Sequence, residues 1–183
     1  MKILVISDIH YENDIMAKVI AHEDHVDKIF CCGDTSLEVD DPKLKDIDLI
    51  VKGNHDFDDR FPITITYQNI LLTHGNHQFV YAGYDRLYKQ AIENHCQIVL
   101  HGHTHVPTHQ VINGIHFINP GAIMINRGSY GYGTYAILET DPVTVHFYHH
   151  KTFQMVDDEV LDEGLETLEE FKEIAKNYLA SRK

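Results

Sequence analysis

The sequence predicts an α/β chain of the layered α/β/β/α kind, with two packed sheets, helices outside them and a C-terminal amphipathic helix. Three observations predict it. Short apolar runs alternate with helical patterns early in the chain, strand-like runs separated by turn residues continue to residue 149, and from residue 157 the chain turns acidic with apolar residues every three or four positions. Short apolar runs bounded by polar or glycine residues suit strands buried on both faces, whereas a period near 3.6 suits a helix that covers one.

KILVIS (2–7) opens the chain as a buried strand, and NDIMAKVIAHED (13–24) follows with Ile15, Val19 and Ile20 near helical spacing. KIFCC (28–32) and DLIVKG (48–53) are the next buried strands, then ITITY (63–67) and NILLTHG (69–75). YDRLYKQAIENH (84–95) reads as a helix with Leu87, Ala91 and Ile92 on one face and Asp85 as its N-cap. QIVLHG (97–102), GIHFINP (114–120), GTYAILE (133–139) and VTVHFYH (143–149) are strands, with Asn113–Gly114 and Asp141–Pro142 as turn punctuation between such runs. The tail has eight acids and no base from Asp157 to Glu170, with Leu161, Leu165, Leu168, Phe171, Ala175 and Tyr178 at steps of three or four. This is a helix over about 157–181, interrupted at Gly164, whose acidic face reads as solvated rather than as a partner surface.

All 183 residues are expected to form a single domain, and 43% hydrophobic residues suffice for its core. A formal net charge of -13 excludes the basic footprint of a nucleic-acid or anionic-membrane binder. It would also repel a phosphorylated substrate unless bound cations inverted the local field. Four arginines, Arg60, Arg86, Arg127 and Arg182, are few for a phosphate clamp built from guanidinium groups alone. Three cysteines, two adjacent at Cys31 and Cys32, fit buried small residues in a reducing compartment, not a disulfide or zinc framework. With no signal-peptide pattern and no apolar stretch of membrane-spanning length, the expected location is the cytoplasm. Fifteen histidines are the compositional outlier.

The histidines fall into a pattern. SDIH (7–10), CGDTS (32–36), KGNHD (52–56), LTHGNH (72–77) and HGHTH (101–105) each join an apolar strand to a turn that displays a metal-competent side chain. One such residue is an ordinary cap or turn residue, but five in succession at the same strand ends are not. Open α/β sheets place their sites at the strands' carboxyl ends, which would gather Asp8, His10, Asp34, Asn54, His74, His103 and His105 in one pocket. Seven mixed nitrogen and oxygen ligands exceed the four of a tetrahedral zinc and fit two ions sharing a carboxylate. No serine or cysteine nucleophile arrangement competes.

D-x-H, GD, GNHD, a lone histidine before glycine and GHTH, in this order, resemble the calcineurin-like metallophosphoesterases. GHTHVP (102–107) and NPGA (119–122) resemble their small bacterial and archaeal phosphodiesterase branch, with the likeness covering roughly residues 1–150. The resemblance implies that Asp8, His10 and His105 bind a first metal, that Asn54, His74 and His103 bind a second, and that Asp34 bridges both. It implies two divalent ions, with manganese favoured and iron, nickel, cobalt or zinc also accepted, and a metal-bridging water or hydroxide for in-line attack on phosphorus. It implies that His55 protonates the leaving alkoxide or stabilises its charge. Asp56 is then either its orienting partner or a turn carboxylate. The expected partner is a small phosphoester, with no stable nucleic-acid or membrane partner; an oligomer contact stays open.

Departures from the family pattern narrow the activity. Protein-phosphatase relatives read GDxxDRG, whereas this chain reads GDTSLEV, with Leu37 at the acid's place and no arginine. That argues against a protein phosphatase and removes the usual orienting carboxylate of His55. Many small-branch members carry cysteine where this chain keeps His55, which favours turnover of diesters. Arg127, just after NPGA, reads as a loop anchor in preference to a substrate ligand. His101 lies outside the matched motif and reads as packed or supporting. His22, His25, His77, His95, His109, His116, His146, His149 and His150 read as surface or satisfied histidines. The alternative to an enzyme is a non-catalytic protein-interaction scaffold, a role this fold serves in the retromer, but scaffold relatives have lost histidines that this chain retains.

Overall fold

The computed structural model describes residues 1–128 and 130–181; Arg182 lies outside the described residues. Two five-stranded mixed sheets stack face to face. The first holds β1 (Lys2–Ile6), β2 (Lys28–Cys31), β3 (Leu49–Ile50), β9 (Thr134–Thr140) and β10 (Val143–His149) in the order β10-β9-β1-β2-β3. The second holds β4 (Thr64–Tyr67), β5 (Ile70–Thr73), β6 (Ile98–Leu100), β7 (Thr108–Ile112) and β8 (Ile115–Asn119) in the order β4-β5-β6-β8-β7. Strands β1, β2 and β3 run parallel, as do β5, β6 and β8, so each sheet presents three carboxyl ends on one side.

Side-chain alternation along each strand builds three apolar layers. Ile3 and Val5 of β1 meet Ile70, Leu72, Ile98 and Leu100 between the sheets. Leu4 and Ile6 face the other way, onto Met16 and Val19 of α1 (Asn13–His22). On the far side Leu71, Val99 and Phe117 pack against Leu87 and Ala91 of α2 (Asp85–Glu93) and Leu168 of α3 (Asp157–Ala180). The resulting architecture is the expected α/β/β/α sandwich. Asn113 and Gly114 both take positive φ, 49° and 81°, in the tight hairpin between β7 and β8.

Four local expectations need correction. DLIVKG forms only the two paired residues of β3: Val51 N–H still donates to Cys31 O at 3.2 Å, but Lys52 N–H donates to Pro62 O at 2.7 Å instead of continuing the ladder. THQVI, too polar to stand out in the sequence, is β7: an edge strand whose single partner is β8 and whose outer groups are half-exposed. Asp85 is the first helical residue of α2 and not its cap, and Ile92 is 53% exposed, outside the buried face. Gly164 does not interrupt α3. A Cβ there would lie 2.3 Å from Pro107 O, so the glycine lets the helix lie directly on the backbone before β7. That close approach fixes the helix's rotation: Val160, Gly164, Thr167 and Leu168 are buried, while Leu165 turns out to 39% exposure.

Candidate metal centre

Five loops at the strands' carboxyl ends bring the expected ligands to one crevice. The loop after β1 is tied to the loop after β2, since Asp8 N–H donates to Gly33 O at 3.0 Å and His10 N–H to Asp34 O at 3.1 Å. The loops after β5 and β6 are joined by Gly102 N–H donating to His74 O at 2.9 Å. Two glycines exist for close approach. A Cβ on Gly53 would lie 2.0 Å from Asp34 Oδ1, and one on Gly102 would lie 1.9 Å from Ser7 Oγ and 2.7 Å from Asp8 Oδ2. Five of the seven expected ligands occupy the left-handed region, Asp8 (φ 53°), His10 (44°), Asp34 (57°), His103 (69°) and His105 (56°). Such strain costs roughly 1–3 kcal/mol per residue and clusters where geometry serves function.

The ligand atoms converge on two adjoining points. Asp8, His10 and His105 form one group, and Asp8, Asp34 and His74 the other, with the ligand atoms of each within 4.8 Å of one another. Asp34 Oδ2 lies 3.6 Å from His10 Nε2 and 3.3 Å from His74 Nε2, between the two groups. Asn54 Oδ1 lies 3.1 Å from His74 Nε2, and the His103 ring centroid lies 5.1 Å from that of His74. His10 and His105 bring their Nε2 atoms to 3.2 Å. Asp8 Oδ1 is buried and makes no hydrogen bond, although His105 Nε2 is only 3.1 Å away. A buried carboxylate oxygen without a hydrogen bond, with the Nε2 atoms of His105, His10 and His74 at 3.1, 3.9 and 4.0 Å, is a donor set suited to cations, so the residues fit two divalent ions. His74 Nδ1–H donates to Cys32 O at 2.7 Å, which turns Nε2 toward the crevice.

Charge follows the same plan. Burial opposes ionisation of Asp8, yet the His105 ring 3.1 Å away and the charge of His74 hold its carboxyl well below the usual range. Burial also opposes a charge on His74, but the Asp34 hydrogen bond and the Asp8 and Asp34 charges push its pKa up to about 9. Burial and the His74 charge pull His103 down to about 4. The carboxylates are therefore ready as anions and His10 and His103 as neutral ligands, while His74 holds a proton that a bound cation would displace.

The two catalytic candidates part company. His55 is exposed at the mouth; its N–H donates to Asp34 Oδ1 at 2.7 Å and its ring centroid is 5.0 Å from that of His10. Asp56 is buried, and no hydrogen bond or ion pair joins it to His55 among the described residues. Its carboxylate accepts from the N–H groups of Asp34, Ser36 and Gly53, each at 2.8 Å, and from the Thr35 hydroxyl at 3.0 Å. These contacts support the turn-carboxylate reading: Asp56 clamps the loop that carries Asp34 to the loop that carries Asn54.

Three supporting residues escaped sequence reasoning. Ser7 Oγ donates to Asp8 Oδ2 at 2.6 Å, Asn119 Nδ2 donates to Gly102 O and Thr104 Oγ1 at 2.9 Å, and the Tyr81 hydroxyl donates to His103 O at 3.1 Å. NPGA was a visible signal for Asn119; nothing local marked Tyr81. His101 is fully buried behind the site with its ring 5.1 Å from that of Tyr84, as a packed histidine should be. Elsewhere His146 pairs with Asp157 at 2.8 Å, His109 with His116 at 2.9 Å, and His150 Nδ1 with Ile123 O at 2.6 Å.

Residues 1–142 match the model of the calcineurin-like phosphoesterase superfamily domain. The probable metallophosphoesterase YsnB of Bacillus subtilis is 36% identical over 155 residues, covering 81% of this chain and 90% of that protein. A crystal structure from Streptococcus pneumoniae, described as a predicted phosphoesterase, superposes with a TM-score of 0.76 at 33% identity, over 81% of this chain and 89% of that one. Vps29 from Entamoeba histolytica, in complex with zinc, shares the fold at a TM-score of 0.65 and 20% identity, over 85% of this chain and 96% of that one. No helix among the described residues is long and apolar enough to cross a membrane.

Proposed function

The chain belongs to the calcineurin-like phosphoesterase superfamily, and on that premise we propose that it is a dinuclear-metal-dependent phosphoesterase acting by preference on phosphodiesters. One observation carries the reading: Asp34 Oδ2 stands between the His10 and His74 nitrogens, at 3.6 and 3.3 Å, beside a buried Asp8 oxygen with no hydrogen bond. In this reading Asp8, His10 and His105 hold one divalent ion, Asn54, His74 and His103 the other, and Asp34 both, with manganese the favoured metal. Bound there, the ions supply Lewis acidity toward phosphoryl oxygens and lower the pKa of a coordinated water.

The chain's own residues do the rest. Asp56 and the Cys32 carbonyl hold Asp34 and His74 in place, so the ligand cage is built before substrate arrives. His55, exposed beside the His10 ring, delivers a ring-nitrogen proton to the departing alkoxide as the phosphorus–oxygen bond breaks. Retention of His55 and the missing GDxxDRG arginine favour a diester over a phosphoprotein. The test is hydrolysis of bis(p-nitrophenyl) phosphate and p-nitrophenyl phosphate with added manganese, repeated with His55→Ala and Asp34→Asn. Diester turnover that is faster than monoester turnover and that both substitutions lower sharply is expected; metal-replete protein inert on both esters would overturn the proposal. A second reading, a protein-interaction scaffold, draws on the exposure of Leu165 and Ile174 on α3 and predicts that same inertness.

A further inference from the structure

A phosphoryl group held near metal ions is still best oriented by a planar guanidinium, whose paired donors match two phosphoryl oxygens. The motif after Asp34 supplies no arginine, so any such group must come from elsewhere. Three arginines are described. Arg60 is consumed by carboxylates, with Nη2 2.7 Å from both Asp40 Oδ1 and Asp58 Oδ2. Arg86 lies over the Phe79 ring at 4.4 Å. Arg127 has no carboxylate within ion-pair distance among the described residues, and it starts from the wall of the crevice, where its N–H donates to His105 O at 2.9 Å.

Its side chain is aimed by one neighbour. Arg127 Nη1 donates to the Tyr81 hydroxyl, and the guanidinium carbon lies 5.5 Å from the Tyr81 ring centroid. The same hydroxyl donates to His103 O at 3.1 Å, and the Tyr81 ring meets the His103 ring edge-on at 5.0 Å. Behind it Tyr81 rests on Phe171 of α3, with ring centroids 5.3 Å apart. Arg127, Tyr81, His103 and the C-terminal helix thus form one continuous set of contacts, and α3 lies beyond the family-matched residues 1–142.

We propose that Arg127 binds the phosphoryl oxygens of the substrate and that Tyr81, braced by Phe171, is the residue that positions it. The proposal rests on the phosphoesterase reading for its substrate class but not for its test. Only one of the guanidinium's five N–H groups is engaged by the tyrosine hydroxyl, which leaves an open fork for a phosphoryl group. Loop anchoring, the role expected from sequence, falls to the Arg127 backbone.

The experiment compares manganese-loaded wild type with Arg127→Ala, Arg127→Lys, Tyr81→Phe and Phe171→Ala. It reads inorganic phosphate binding by calorimetry, KM and kcat on bis(p-nitrophenyl) phosphate, and metal content by elemental analysis. A lost charge-assisted contact weakens phosphate binding and raises KM about ten- to a hundred-fold in Arg127→Ala, with metal content unchanged. Arg127→Lys recovers part of the loss, and Tyr81→Phe and Phe171→Ala raise KM roughly three- to ten-fold with little change in kcat. Phosphate affinity unchanged in Arg127→Ala, absent in the wild type, or lost in step with metal content overturns the proposal. Arg127-dependent phosphate binding without turnover sustains it while sinking the hydrolase reading; turnover with an unaltered KM in Arg127→Ala does the reverse.

Discussion

The crevice and the C-terminal helix are both rich in acids, and they use them in opposite ways. In the crevice Asp8 is fully buried and Asp34 is 1% exposed, each wrapped by loops in left-handed conformations. On α3 the eight acids between Asp157 and Glu170 are mostly exposed, and the helix gains surface pairs such as Lys176 with Glu173 at 2.7 Å. An exposed ion pair contributes about 0.2–1 kcal/mol, whereas a buried carboxylate is kept only where something compensates its desolvation. Asp8 and Asp34, held out of water, therefore say more about function than the mostly solvated acids of α3.

The contrast can be broken most severely at Asp34. Asp34→Asn is expected to lower kcat by about a thousand-fold or more, because it weakens the hold on both expected ions, each worth several kcal/mol to the transition state. Retained activity would remove Asp34 from the expected metal ligands. His55→Ala should cost roughly a hundred-fold in kcat with metal content unchanged, as removal of a proton donor does; loss of metal in that variant would make His55 a ligand instead.

The pH dependence of stability sharpens the same comparison. Burial pulls His101 down to about 4, below the ordinary 6.5, so the unfolded chain takes up a proton there before the folded one does. Its contribution is complete above pH 6.5 and declines as pH falls toward 4, by at most about 3 kcal/mol. Denaturant titrations of the metal-free protein at pH 7 and 4.5 should show the decline, and His101→Asn should flatten part of it. A slope unchanged in that variant would assign the acid sensitivity to the other histidines that burial lowers, His10, His103, His109, His116, His149 and His150.

Gly164→Ala sets two effects against each other. Alanine gains about 1 kcal/mol of helix propensity over glycine, yet its Cβ would meet Pro107 O at 2.3 Å. Overpacking of that kind costs about 1–3 kcal/mol, so a net loss of roughly 1 kcal/mol is expected in thermal or denaturant unfolding. Stabilisation would mean that α3 rides higher on β7 than its contacts indicate. The smallest effect belongs to the solvated face, where Glu173→Gln should change stability by less than about 0.5 kcal/mol.

Residue chemistry made much of the site legible. Aspartate, asparagine and histidine placed after apolar runs and beside glycines marked all seven expected ligands, because ligand type and strand-end placement are local properties. The glycines of GNHD and GHTH are readable for the same reason, since Gly53 and Gly102 leave room only for a hydrogen next to Asp34 and Asp8. Asp56 was visible as a carboxylate but not as a clamp, because its four partners include residues twenty or more positions away. Tyr81 and Arg127, 46 positions apart, share no local signal at all.

By itself the sequence determined the layers, the approximate extent of most strands and helices, and the identity of the metal-competent side chains, since periodicity and donor chemistry are properties of neighbours along the chain. Only the tertiary structure decided that β7 closes the second sheet, that Val160, Thr167 and Leu168 turn inward while Leu165 turns out, and that Tyr81 joins Arg127 to His103. Those outcomes depend on how closely distant backbones approach, as at Gly164 and Pro107, and on strand pairing across the sheets. Neither propensity nor residue type encodes them.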